Sequence, residues 1–131
     1  MWALFKLKGL NVDVTFFAAK VDCDCSCFED IPEDSILGGG NFTKDHIGDL
    51  LSCFKSVSSA LSDNLWLLPI NFTEELAIID DEKLEDIAVY WSEEGSWRDE
   101  NVNSMDLAGH LIAIKYAYLQ HSDKRIFALF E

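Results

Sequence analysis

The hydrophobic period of this chain changes along its length, and that change limits the folds open to it. Residues 11–17 alternate, with Val12, Val14 and Phe16 on one side and Asn11, Asp13 and Thr15 on the other, which is the period of a strand. Further on, Ile47, Leu50, Leu51, Phe54, Val57 and Leu61 recur at helical spacing. They make a stripe about 120° wide opposite Lys44, Asp45, Asp49, Lys55, Ser56 and Ser59. Neither an all-β nor an all-α chain carries both periods. Thr43 stands where that helix wants an N-cap.

The remaining segments fill in the same scheme. Residues 2–8 read as a first strand. After Phe17 the parity flips, and Ala19, Val21, Cys23, Cys25 and Cys27 become the inward set, marking a bulge or turn near Phe17-Ala18. Residues 29–41 read as a loop. Its Gly38-Gly39-Gly40 lacks the spacing and the Lys-Ser pair of a phosphate cradle, so it reads as a flexible connection. Residues 65–70 suit a strand ending at Pro69, and 74–80 fit either a strand or a helical turn. Leu84, Ile87, Ala88 and Trp91 form the buried stripe of a second helix, entered through Asp80, Asp81 and Glu82 and closed by Gly95.

The last helix, about 105–120, takes Ser104 as its cap and is apolar nearly all round, the mark of a central, buried element. Gly109, Ala113 and Ala117 give it a small-residue flank for close approach. Residues 125–130 read as a closing strand. With 131 residues and 49% hydrophobic side chains, the expectation is a single α+β domain over 1–131. Its sheet is mainly antiparallel, with about three helices packed on one face.

Candidate chemistries are few. Cys23, Cys25 and Cys27 form a C-x-C-x-C run, and zinc with Cys53 or His46 as fourth ligand is conceivable. Structural zinc favours a C-x₂₋₄-C knuckle that folds around the metal, so small buried thiols in a reduced, cytoplasmic protein are the preferred reading. None of the three histidines sits in a nucleophile setting. His110, on the apolar helix, is expected to be a buried core histidine. Lys115 is expected to run its stem over the core and meet water or an acid. Adjacent Glu93 and Glu94 read as a solvated turn rather than a glycosidase pair. The Asn-Phe-Thr triplets at 41–43 and 71–73 read as helix or turn starts. No catalytic residue, metal ligand or cofactor site is expected, and the start of the chain lacks the apolar core of a signal peptide.

Charge is the stronger signal. The chain carries 24 Asp and Glu against 10 Lys and Arg, a formal net charge of −14. That argues against direct nucleic-acid or anionic-membrane binding, and no run of about 18 apolar residues exists to span a bilayer. Residues 74–100 hold 11 of the acids with only Lys83 and Arg98 among them. A second acidic cluster covers 22–34. High charge also serves solubility alone, but here acids interleave with Tyr90, Trp91 and Trp97, the composition of interface anchors with a polar rim. Trp91 belongs to the helix stripe, which leaves Trp97 as the expected exposed anchor. The expected partner-binding set is Asp80, Asp81, Glu85, Glu93, Glu94, Trp97, Asp99 and Glu100.

In size and acidity, over the whole chain and through no particular motif, the sequence resembles bacterial toxin-immunity proteins. The resemblance implies a cytoplasmic inhibitor that occludes the active or substrate-binding face of a basic partner such as a toxin nuclease, without turnover. Two alternatives stand beside it: a metal-binding or redox module built on Cys23, Cys25 and Cys27, and an acidic nucleic-acid mimic.

Overall fold

A computed structural model describes residues 13–20, 31–97, 100–121 and 123–130. Among these, five strands form one antiparallel sheet: β1 (Val14–Ala19), β2 (Ile36–Gly40), β3 (Ser59–Ala60), β4 (Leu65–Leu67) and β5 (Arg125–Phe130). Their order is β2-β1-β5-β4-β3, so β5 lies at the centre between β1 and β4. Four α-helices accompany them: α1 (Lys44–Cys53), α2 (Ile70–Ile78), α3 (Asp81–Ser92) and α4 (Ser104–Tyr118). The α+β class and the antiparallel sheet are as expected, with one helix more than the sequence suggested.

Side chains from all four helices join Val14, Phe16, Ala18, Ile126, Ala128 and Phe130 in one core, so the helices cover one face of the sheet. The other face is also buried. Phe17, Leu65, Phe127 and Leu129 form a second cluster with Ile31, and Phe17 stacks on Phe127 with ring centres 5.2 Å apart. A strand buried on both faces has no polar side to alternate with. That explains the apparent parity flip after Phe17. Along β5 the register of β1 is unbroken from Val14↔Phe130 to Ala19↔Arg125. The irregularity lies instead in the pairing with β2, between Phe16↔Gly38 and Phe17↔Ile36.

The triple glycine is therefore part of a strand rather than a flexible connection. Gly38 has φ +152°, a backbone region that side chains disfavour, at the point where the register slips. A Cβ on Gly40 would stand 2.8 Å from the Phe42 ring. Two of these glycines thus let β2 bend and let Phe42 fold back over it, beneath α4.

Residues 2–8, the cysteine run at 23–27 and most of the 22–34 acidic cluster lie outside the described residues.

Helix α1 starts as expected. Thr43 Oγ1 accepts from the His46 backbone N–H at 3.1 Å, and the Thr43 N–H donates to His46 Nδ1 at 3.0 Å, a closed capping box. It ends earlier than its apolar stripe. Lys55 adopts φ 56°, its N–H bonds the Ser52 carbonyl, and the Ser56 N–H bonds the Leu51 carbonyl. This is a Schellman C-cap with lysine in the usual glycine place. The chain turns away there, which leaves Val57 84% exposed and Leu61 49% exposed rather than in the core.

Pro69 ends the extended segment and begins α2, so residues 74–78 are helical. Asp80 Oδ1 accepts from the Lys83 N–H at 2.8 Å and caps α3, whose buried stripe is Leu84, Ile87, Ala88 and Trp91 as expected. That helix ends at Ser92 with Glu93 as its cap, and Gly95–Trp97 form a 3-10 turn. In α4 the cap is Asn103, whose Oδ1 accepts from the Met105 N–H, rather than Ser104. Nor is α4 buried all round. Leu107, Leu111, Ile114 and Tyr118 face the core, while Met105, Gly109, His110, Ala113 and Tyr116 are exposed. Among the described residues nothing packs on the small-residue flank at Gly109.

Candidate functional site

The acidic stretch from Asp80 onward is read most simply from helix geometry. With Leu84, Ile87, Ala88 and Trp91 pointing into the core, a 100° step per residue turns Glu82, Asp86, Val89 and Glu93 outward, with Tyr90 beside them. The exposures agree: Tyr90 is 66% and Val89 45% exposed. Asp86 and Glu93 are exposed, and among the described residues neither makes a side-chain hydrogen bond or ion pair. Together with Lys83 and Ile87, these four residues line a shallow depression of about 550 Å³ along α3.

At the start of α3 the charge is spent internally. Lys115 is buried, and its Nζ donates to the Ile79 carbonyl and, at 3.3 Å, to Asp81 Oδ1. Tyr116 donates its hydroxyl to Asp81 Oδ2 at 3.0 Å, and that bond to a carboxylate raises its phenol pKa. Lys115 therefore pins the α2–α3 joint to α4, the acid-paired role expected of it.

At the other end, the 3-10 turn is drawn into the protein. Trp97 is 5% exposed and stacks on the His46 ring, centroids 3.6 Å apart and planes 6° off parallel. It also meets Phe42 and Trp91 edge-on. The exposed-anchor role expected of Trp97 is thus overturned: its indole fills the corner between α1 and α3. His46 is buried as well. Its Nδ1 accepts from the Thr43 N–H, which puts the ring N–H on Nε2, facing Glu100 Oε2 at 2.8 Å and the Ser96 carbonyl at 3.1 Å. Both ring nitrogens are committed, which leaves no free lone pair for a general base. The Trp91 Nε1–H donates to the His46 carbonyl at 2.7 Å, and the Ser96 N–H to Asp49 Oδ2 at 3.1 Å. This corner is a lock.

The eight residues expected to form one surface are thus divided. Asp80 and Glu93 lie exposed and Glu85 half-buried along α3; Asp81 is paired with Lys115; Trp97 is buried. Glu94 and Glu100 belong to the corner, and Asp99 lies outside the described residues. Glu94 is close enough to Cys53 to act on it. Burial, then Glu94, then Asp49, push that free thiol up to about 11 from 9.0.

His110, expected in the core, lies exposed on α4 with its ring edge against Phe42. Partial burial there holds its pKa below 6.5, opposed by Asp106. Cys23, Cys25 and Cys27 lie outside the described residues. Among those described, no group of three or more His, Cys, Asp or Glu could hold a metal, and no helix is long and apolar enough to cross a membrane.

The exposed apolar side chains on this face, absent from the expected set, are Val89 and Tyr90. Their signal was present: helical spacing from Leu84 and Trp91 turns both outward. The chain matches no family model, and no curated protein or solved structure is similar to it.

Proposed function

We propose that the protein is a non-catalytic, cytoplasmic inhibitory binding protein that neutralises a basic protein partner, in the manner of the bacterial immunity proteins it resembles. A toxin nuclease is the partner that resemblance implies. The outer face of α3 covers the partner's active or substrate-binding face, by contact and charge complementarity. The observation that carries this reading is the pairing of exposed acids, Asp86 and Glu93 above all, with exposed Val89 and Tyr90 on one helix face. A cation-poor surface of this kind steers a basic partner and speeds encounter. The commitment of both His46 nitrogens to structure favours binding over turnover at the neighbouring corner.

The test is capture of basic proteins on the immobilised chain at about 50 mM and about 200 mM salt, followed by titration of the purified partner's own activity. One partner that survives the higher salt and loses its activity at a one-to-one ratio supports the reading. A bound partner that keeps full activity, or affinity unmoved by Asp86→Lys with Glu93→Lys, refutes it. Release of many basic proteins together by generic DNA would make the chain a nucleic-acid mimic instead.

A further inference from the structure

We infer that the Val89–Tyr90 face of α3 is the docking site for a basic amphipathic helix, one that offers apolar side chains flanked by Lys or Arg. This rests on the inhibitory-binding reading above and names what the partner must present.

Asp86 precedes Tyr90 by four residues and Glu93 follows it by three, so an acid stands one helical turn to either side of the exposed ring. Val89 lies between them on the same face. The depression these residues line has Ile87 at its inner edge. An apolar centre bounded by acids is the reverse image of an apolar centre bounded by bases. From Asp86 to Glu93 is seven residues, which at 1.5 Å per residue is about 10 Å. Basic residues seven apart on a partner helix have the same separation, with a turn between them for an apolar side chain to meet Tyr90. Lys83, the cation at the edge of the depression, precedes Asp86 by one turn. It repels a further base at that end and so favours one direction of the incoming helix.

A second copy of this chain is the wrong occupant. At a formal charge of −14, a symmetric pairing through α3 would bring Asp86 and Glu93 against their own like. Nucleic acid is excluded by the same sign.

The test uses the full chain, isotopically labelled, and three synthetic peptides of equal length. One has Leu and Lys at amphipathic helical spacing, one has Lys and Ser with the same charge, and one has Leu and Glu. Amide shifts are followed at about 50 mM and about 150 mM salt. The expected result is tighter binding of the Leu/Lys peptide than of the Lys/Ser peptide, with the largest shifts between Asp86 and Glu93. Tyr90→Ala should weaken the Leu/Lys peptide about tenfold or more and leave the Lys/Ser peptide unchanged. Val89→Ser is the second variant, and circular dichroism verifies that both remain folded.

Equal binding of the two cationic peptides, or indifference of the Leu/Lys peptide to both variants, overturns the docking site while leaving the acidic face as a binder of basic partners. Shifts centred elsewhere on the protein overturn it too. If neither cationic peptide binds at the lower salt, the docking site and the inhibitory-binding reading fall together.

Discussion

The outer face of α3 and the corner formed by α1 with the 3-10 turn are built from the same kinds of residue and put to opposite use. Each combines carboxylates with large aromatic rings, and they are separated by a few residues of chain. On α3, Tyr90 stands in solvent between Asp86 and Glu93, and neither acid has a side-chain partner among the described residues. In the corner, Trp97 lies flat on His46, and Glu100 closes on the same imidazole. Composition is common to both, and backbone geometry separates them. A regular helix had already used its inward positions on Leu84, Ile87, Ala88 and Trp91, so the next ring had to face out. The 3-10 turn has no such commitment, and its ring folds in.

The sharpest way to break this comparison is to remove both rings. Trp97→Ala should cost about 3–5 kcal/mol in denaturant unfolding, the range for a large aromatic removed from a packed site. Tyr90→Ala should stay within about 0.5 kcal/mol. Equal losses would mean that the two regions are not different in kind.

Next in size is the reactivity of Cys53. A thiol held at about 11 rather than 9.0 has a thiolate fraction at pH 8 on the order of 100-fold lower than an unperturbed one. Because the folded pKa is raised, alkylation by iodoacetamide should be slow in native protein at pH 8. It should quicken only as the pH approaches 11, and it should jump on unfolding. Glu94→Gln should raise the native rate, since that carboxylate is one of the causes. Fast labelling at pH 8 without unfolding would show that the corner is open.

His46→Ala should cost about 2 kcal/mol, through the lost capping acceptor and the Glu100 contact, whereas His46→Gln, which keeps an acceptor for the Thr43 N–H, should cost clearly less. The smallest effect is at the far end of α1. Lys55→Gly should raise stability by about 0.5–1 kcal/mol, because glycine holds the left-handed cap without strain. A loss there would contradict the Schellman geometry.

Much of the fold was legible, and the reasons are local. Thr43 and the stripe through Leu51, the stripe of α3, and the apolar run at 125–130 each carry their own periodicity, and each is found where expected. Gly38–Gly40 carry no pattern at all; they form a strand because β1 offers a ladder and Phe42 needs the space. The stripe of α1 overran because lysine sits where glycine would have announced the cap. Helix α4 was read as central because apolar and small side chains cover most of its wheel, yet its outer third meets solvent. Of the candidate site, the exposed acids were legible, and which aromatic ring stands outside was not. Which of two neighbouring aromatics is inside depends on the contacts at His46, and those arise from residues 50 positions away.

The sheet order carries a consequence for how the protein is made. Its middle strand, β5, is the last of the described elements to be synthesised, and its neighbours on either side, β1 and β4, are finished long before. Until residues 125–130 leave the ribosome, the nascent chain has helices to fold but a gap where the sheet should close. Closure of the sheet therefore waits for residues 125–130 and joins segments distant in sequence, a step of high contact order that is slow in comparison with helix formation. A ribosome stalled shortly before residue 125 would hold two separated half-sheets with apolar edges, a species that chaperones and proteases are suited to recognise.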